Sequence, residues 1–467
     1  MRKEEIREID FSIYNIKDEV EYEFQTGKGL SKEVVLEISE QKGEPSWMRE
    51  FRLKALEIYE KMPMPTWGVD LSRLDINSIV AYIRPSARKK TSWEEVPEEI
   101  RRTFERLGIP EAEKKALAGV GAQYDSEVIY HNMKESLARQ GVIFEDMDTA
   151  LKKYPDIIRE YFMTKNVLPT DHKFAALHAA VWSGGTFVYV PEGVKVEVPL
   201  QAYFRMNAPG SGQFEHTLII ADRGSEVHFI EGCSAPLYSV SNLHAGCVEL
   251  FVKEGARIIY STIENWSKNT YNLNTKRAIV EKDGMVEWIS GSFGSKKTML
   301  YPASVLVGKG AKAEYTSITF AAKGQHLDTG AKMIHLAPYT SSKILAKSIS
   351  KDGGISTYRG LLKVGPEAEG VKASVTCEGL MLDDISKSDT IPVIDIENDN
   401  VDIGHEAKVG RISEEQIYYL MSRGLNEEDA RAMIVRGFVE PIAKALPLEY
   451  AVEMNRLIKL ELEGAIG

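Results

Sequence analysis

The chain has 467 residues, 43% hydrophobic and 27% charged, with a formal net charge of −11. That length allows two or three domains or one extended repeat with a large core, and the negative charge argues against nucleic acid or an anionic membrane as main partner. The charged start, MRKEEIREIDF, lacks the apolar stretch of a signal peptide, and no apolar run reaches the roughly 18 residues of a membrane span, so the cytoplasm is the expected compartment. Roughly the first 180 residues read as helical. Met48, Phe51, Ala55, Tyr59 and Met62 recur at helical spacing between a cap at Ser46 and a stop at Pro63 and Pro65. Ile129, Met133 and Leu137 repeat the pattern before Gly141, and Phe174, Leu177 and Val181 repeat it before Gly184. Residues 1–45, charged and weakly patterned, are expected to be mobile.

From Gly185 the texture changes to short runs rich in Val, Ile, Thr, Tyr and Phe. A turn phrase recurs as DRGSEVHFI, KEGARIIYS, KDGMVEWIS, GKGAKAEYT and KDGGISTYR. Its glycines at 224, 255, 284 and 310 fall roughly 26–31 residues apart, with Gly353 about two shorter periods further on. A charged-Gly turn before each β-rich run is a solenoid signature, because each coil buries its face only by stacking on the next. Past residue 411 helices return. Ser413 and Gln416 form a capping box, Gly424 stops that helix, Asn426 opens another, and EYAVEMNRLIKLELEG ends the chain. The expected fold is mainly β: a helical N-terminal domain (1–171), a right-handed parallel β-helix (172–405) and a helical C-terminal domain (406–467). The end helices would cap the edge strands or form a docking surface. Ala430, Met433, Ile434 and Phe438 beside Arg431 and Arg436 are the expected contact stripe.

No phosphate-cradling G-x-x-x-x-G-K-[ST] is present, nor G-x-G-x-x-G, H-E-x-x-H or G-x-S-x-G, so any nucleotide hydrolysis is expected to come from a partner. The three cysteines are sparse, odd in number and without a C-x-x-C pair, which suits a reducing compartment. Strand alternation turns Cys233 inward with Val227 and Phe229, and Cys377 inward with Val371, Ala373 and Val375. Cys247 shares parity with Glu249 and points outward. Composition alone leaves all three as inert core residues, and leaves His405-Glu406 a surface pair, since strand neighbours face opposite sides. Two other functions stay open. Asp383, Asp384 and Asp389 are the only dense carboxylates for a polysaccharide-active β-helix, and a purely structural solenoid needs no chemistry at all.

The phrases VWSGGTFVYVPEGVKVEVPLQAYF, HTLIIADRGSEVHFIEGCSAP, YSTIENW, YNLNTKRA and RGLNEEDARAMIVRGF resemble the SufB/SufD family. Upstream, GEPSWMREFRLKALEIYEKM and GAQYDSEVIYHNMKESLARQGVIFEDMDTAL resemble its SufB branch. The resemblance runs from about residue 20 to the end. It implies a scaffold that takes sulfur as persulfide and iron, builds a transient 4Fe–4S or 2Fe–2S cluster at a subunit interface and hands it to acceptor apoproteins. The implied partners are the SufC ATPase at the C-terminal helices and SufD or a second SufB at the end of the β-helix. Sulfur would come from SufE- or SufU-type donors with the desulfurase SufS, and reduced flavin is a further ligand in some family complexes. By position, Cys233 matches the cysteine that receives sulfur, and Arg205, Asn207, Trp266 and Lys276 match its route. Cys377, His405 and Glu406 match the residues that hold iron and the nascent cluster. A thiolate relay would need a cationic neighbourhood to lower the thiol pKa, which Arg205 and Lys276 are expected to supply. Glu264 stands where many relatives have Gln, Glu-Gly follows Cys377 in place of Asp-Ser, Gly404 replaces an acidic residue, and the N-terminal cysteine cluster of some members is absent.

Overall fold

The β-rich runs become long strands laid side by side in parallel. In the computed structural model, which describes residues 15–106, 117–444, 446 and 448–463, the strands Glu226–Ser234, Arg257–Trp266, Met285–Gly294, Lys312–Ala321, Ser341–Ser350, Val371–Met381 and Val401–Arg411 form one wall. Their register holds Val227, Ile258, Val286, Ala313, Ser342, Ala373 and Ile403 in a single inward column. The opposite wall consists of two columns of shorter strands, such as His216–Ala221, Cys247–Val252 and Thr275–Val280 in one and Asn242–His244 and Thr270–Asn272 in the other. The columns merge in the continuous strand Ile355–Val364. The result is a parallel β-solenoid of about eight turns with helices at both ends, as the repeated turns predict.

One corner shows why those turns repeat. Gly224, Gly255, Asp283, Gly310, Tyr339 and Gly370 all take a left-handed backbone conformation, which glycine adopts at no steric cost. Each donates its N–H to the turn above: Gly224 to Glu254 O at 2.9 Å, Gly255 to Lys282 O at 2.8 Å, and so on to Gly370 and Asn400 O at 2.7 Å. Gly353 belongs to the other corner, between Ser341–Ser350 and Ile355–Val364. The long apparent gap after Gly310 therefore reflects two turn columns read as one. Within the first column, Asp283 and not the expected Gly284 holds the left-handed position, and Tyr339 fills a turn where the sequence offers no glycine.

Three apolar layers organise the molecule. The lumen is packed by Val227, Phe229, Leu250, Ile258, Tyr260, Val286, Trp288 and Tyr315. The outer face of the short-strand wall, with Leu218, Ile220 and Phe251, is covered by the helices Lys32–Lys42, Ser46–Lys61, Met147–Lys153, Pro155–Tyr161 and Lys173–Val181. On the other side Ile230, Ile263, Ile289, Ile318 and Ile349 of the long wall pack against Val435, Val439, Ile442, Met454 and Leu457 of Glu427–Ala443 and Leu448–Glu463. Those C-terminal helices lie along the face of the wall and do not cap its edge.

The N-terminal region is less helical than its apolar spacing suggests. Ile129 and Met133 lie in the strand Glu127–Met133, which pairs antiparallel with Gly119–Tyr124; only Leu137 falls in a helix, the single turn Glu135–Ala138. Val128, Ile129 and Tyr130 are all buried, so the strand has apolar neighbours on both faces and its sequence shows no clean alternation. Residues 15–45 are not a loose leader: Lys32–Lys42 is capped by Ser31 and buries Val34, Val35 and Ile38. Residues 1–14 lie outside the described residues.

Candidate functional site

A belt of polar groups crosses the apolar lumen. Register pairs Cys233 with Glu264 on the neighbouring strand, and alternation turns both inward with Glu231, Tyr260 and Trp266. The Lys276 Nζ, from the opposite wall, donates to Glu231 Oε1 at 3.0 Å and to Glu264 Oε1 at 3.4 Å. Tyr260 donates its hydroxyl to Glu231, and Asn272 and Asn274 donate to Glu264 at 2.7 and 3.2 Å. His244 sits against the Trp266 ring, centroid to centroid 4.3 Å, and pairs with Glu215. Burial works against the Lys276 ammonium, but Glu231 and Glu264 overcome it and hold the pKa above its ordinary value. Burial would likewise raise Glu231, yet Lys276 and the Tyr260 hydroxyl bring it below the usual range.

Cys233 lies within this belt, 1% exposed, with Sγ 3.9 Å from Glu231 Oε1. Burial, then the carboxylates of Glu231, Glu215 and Glu264, push its thiol well above the ordinary value, and Lys276 offsets only part. The expected lowering of the thiol pKa does not occur in this conformation, because carboxylates outnumber the cation. Arg205 contributes nothing to the belt. It pairs in register with Ser234, one residue beyond Cys233, and so lies on the outer face, donating to Ser234 Oγ at 3.0 Å and to Ile16 O at 2.6 Å. Asn207 is on that side too, bonded to Asp18 and Asp125. The structure thus joins Cys233, Trp266 and Lys276 and separates them from Arg205 and Asn207 by the thickness of one wall.

A second group lies at the far end of the stack. Val375 pairs with His405 and Cys377 with Ala407, so His405 and Cys377 share the inward face and their Sγ and Nε2 are 3.8 Å apart. Burial pushes the Cys377 thiol up to about 12, and the Tyr358 hydroxyl beside it works the other way. Glu406 takes the opposite face, where it pairs with Lys408 at 2.8 Å. Among the described residues, both strands of this last coil, Lys387–Ile396 and Val401–Arg411, have a ladder partner on one side only. They leave Val393, Ile394, Ile396 and Val409 exposed. Asp383 sits in the adjoining turn and bonds backbone N–H groups of Asp352, Ile385 and Ser386, while Asp384 pairs with Arg411.

Cys247 points away from the lumen, as its parity predicts, but it is not exposed. It is 1% accessible and belongs to the apolar layer that the N-terminal helices build on this wall. Two histidines that no sequence spacing singles out, His178 and His216, lie beside it.

A parallel β-solenoid flanked by helices, with buried thiols at the lumen and at an open end, matches two family profiles. The SufBD core domain of SUF-system FeS cluster assembly covers residues 204–438, and the SufBD N-terminal region covers 38–202. The chain belongs to the SufBD family of iron–sulfur cluster assembly proteins. It is 58% identical over 444 residues to the iron–sulfur cluster assembly protein SufB of Bacillus subtilis, spanning 95% of each chain. It is 56% identical over 455 residues to a SufBD family protein of Staphylococcus epidermidis, spanning 97% of each. Among the described residues no helix is long and apolar enough to cross a membrane.

Proposed function

We propose that the chain is the cytoplasmic scaffold on which sulfur and iron are combined into a cluster, with Cys377 and His405 as its ligands. The observation that carries this reading is their 3.8 Å approach where Cys377 lies directly beneath a last coil, bearing His405, whose two strands lack an outer partner among the described residues. A thiolate and an imidazole are good but few ligands for iron. A docked SufD, or a second copy of this chain, would complete the set across the seam and could leave again, which suits a cluster made for transfer. Glu406 joins the same iron only if the terminal strand twists on docking, and its exposed, one-sided ladder permits that.

Sulfur would enter as persulfide from a SufE- or SufU-type donor charged by SufS. The Cys233 thiolate attacks the outer sulfur, the donor thiolate leaves, and the new persulfide passes along the lumen past Lys276 and Trp266. With Cys233 buried among carboxylates, this step requires the coil to open. SufC supplies the means: the C-terminal helices present Tyr418, Tyr419, Met421 and Met433 to solvent, and the helix of Met433, with the one that follows it, packs on the wall that bears Cys233. ATP-driven movement of SufC would therefore pull on that wall. Arg205 and Asn207 then act from outside, tying the N-terminal segment to the strand end beyond Cys233, and reduced flavin is a candidate electron source for the assembly.

The test is maturation of an acceptor apoprotein by Cys233→Ser, Cys247→Ser and Cys377→Ser chains in complex with SufC and the paired subunit, fed persulfide or free sulfide. Cys377→Ser is expected to fail with both sulfur sources, and Cys233→Ser only with persulfide. Normal maturation by Cys377→Ser would leave a structural solenoid as the better reading.

A further inference from the structure

The outer face of the short-strand wall holds a group of donors that cluster assembly does not use. His178 lies on Lys173–Val181, a helix of the N-terminal layer; His216 opens the strand His216–Ala221. Cys247 opens the next strand, in direct register with His216. His178 Nε2 and His216 Nδ1 are 3.0 Å apart, and with Cys247 Sγ they all lie within 4.8 Å of one another. None of the three residues is more than 1% exposed.

What distinguishes this group from a packed core pair is the treatment of the outer nitrogens. His178 Nδ1 is held by Ala245 O at 2.9 Å. His216 Nε2 faces Glu249 Oε2 at 3.2 Å, but so poorly aligned that it makes no hydrogen bond as it stands. Glu249 is itself fixed, accepting from Met163 N at 2.7 Å and Val167 N at 2.8 Å. One histidine backed by a carbonyl and one by a clamped carboxylate, each with its other nitrogen turned to a common point beside a thiol, is how metal-binding histidines are oriented.

We propose that His178 Nε2, His216 Nδ1 and Cys247 Sγ bind one zinc-type divalent ion. Two imidazoles and a thiolate are a borderline-soft donor set that suits Zn²⁺. Ligand bonds of about 2.0–2.3 Å need only small side-chain shifts from the present separations. As the metal–sulfur bond forms, the Cys247 thiol proton leaves to solvent, and so does the proton that burial favours on the Glu249 carboxyl before the ion binds. The His216 proton then resides on Nε2, where it is donated to Glu249 and satisfies the orphaned contact. The ion's two positive charges are balanced by the thiolate and the Glu249 carboxylate, so the buried site is neutral overall. Its role is structural, riveting the N-terminal helical layer to two successive coils. The site is at the opposite end of the stack from Cys377 and His405.

The chain has three cysteines, so a Cys233→Ser/Cys377→Ser protein keeps Cys247 as its sole thiol. That full-length protein, expressed with Zn²⁺ or with Co²⁺ as a coloured substitute, is expected to hold about one ion per chain by elemental analysis after dialysis against chelator. Its cobalt form should show a thiolate-to-cobalt charge-transfer band. Cys247→Ser removes the charge-transfer band. Glu249→Gln keeps all three donors and weakens retention about 10–100-fold. A folded sole-thiol protein without ion and band overturns the proposal, and so does ion retention that Cys247→Ser leaves unchanged. If Cys247→Ser fails to fold, metal content and spectrum of the sole-thiol protein decide alone.

Discussion

Replacing Glu231 by Gln should turn Cys233 from an inert thiol towards a reactive one. The Glu231 carboxylate lies 3.9 Å from the Cys233 sulfur. Two unit charges at that distance repel by about 4 kcal/mol at an effective dielectric constant of about 20. Lys276, 3.0 Å from the same oxygen, already cancels part of that repulsion, so removing the Glu231 charge should lower the thiol pKa and raise the thiolate fraction by about tenfold for each 1.4 kcal/mol recovered. Gln keeps one oxygen to accept from Lys276 and turns its amide N–H towards the Tyr260 hydroxyl oxygen, so the shape is nearly preserved. Thiolate absorbance, titrated as the difference between proteins with and without Cys233, measures the shift without requiring a reagent to enter the lumen. An unchanged or higher transition would refute the carboxylate account of this thiol.

Lys276→Met leaves Glu231 and Glu264 buried without their cation, and should destabilise the chain by about 3–5 kcal/mol in urea unfolding while moving the Cys233 transition upward; Lys276→Met with Glu231→Gln should recover part of the loss. Glu461 gives a pH signature. Burial raises its carboxyl from 4.5 to about 7, so the folded chain keeps a proton that the unfolded chain has lost. Its contribution is fully present below pH 4.5 and disappears as the pH rises through about 7. Glu461→Gln should flatten that slope and stabilise the chain above neutrality by up to about 3 kcal/mol, read as urea midpoints against pH. Met433→Asp with Tyr418→Asp alters side chains 49% and 76% exposed, so circular dichroism should be unchanged while SufC is lost in a pull-down; retained SufC would place its contact elsewhere.

The solenoid was legible because its cause is local. Each turn needs a residue tolerant of left-handed backbone, and each strand alternates between lumen and outer layer. Parity alone therefore assigned Cys233 and Cys377 to the lumen and Cys247 to the outer face. What parity lacks is the next layer: the helices covering Cys247 come from residues 32–181, and nothing near Cys247 in the sequence announces them. The same blindness hides His178 and His216, which meet only because a helix crosses the strand. It also explains Arg205, whose charge suggested help for Cys233 although strand geometry turns it outward. The Ile129–Leu137 stretch failed for a different reason. A strand covered on both faces loses its period of two, and the residual spacing imitates a helix.

The stack of coils has a direction. At one end the antiparallel strands Glu127–Met133 and Ile143–Asp146 close the two walls, with the Lys90 segment bonded along the outer edge of the first. At the other end Lys387–Ile396 and Val401–Arg411 offer unfilled backbone ladders. An open edge at both ends would let such coils add without limit, as in a fibre. Because the long wall is covered at its other end, two chains that meet through their terminal coils would fill both of those ladders and leave no further edge of that wall to extend among the described residues. The thiol beneath that terminal coil would then lie at the one junction where a second chain can be added and withdrawn without disturbing the rest of either stack.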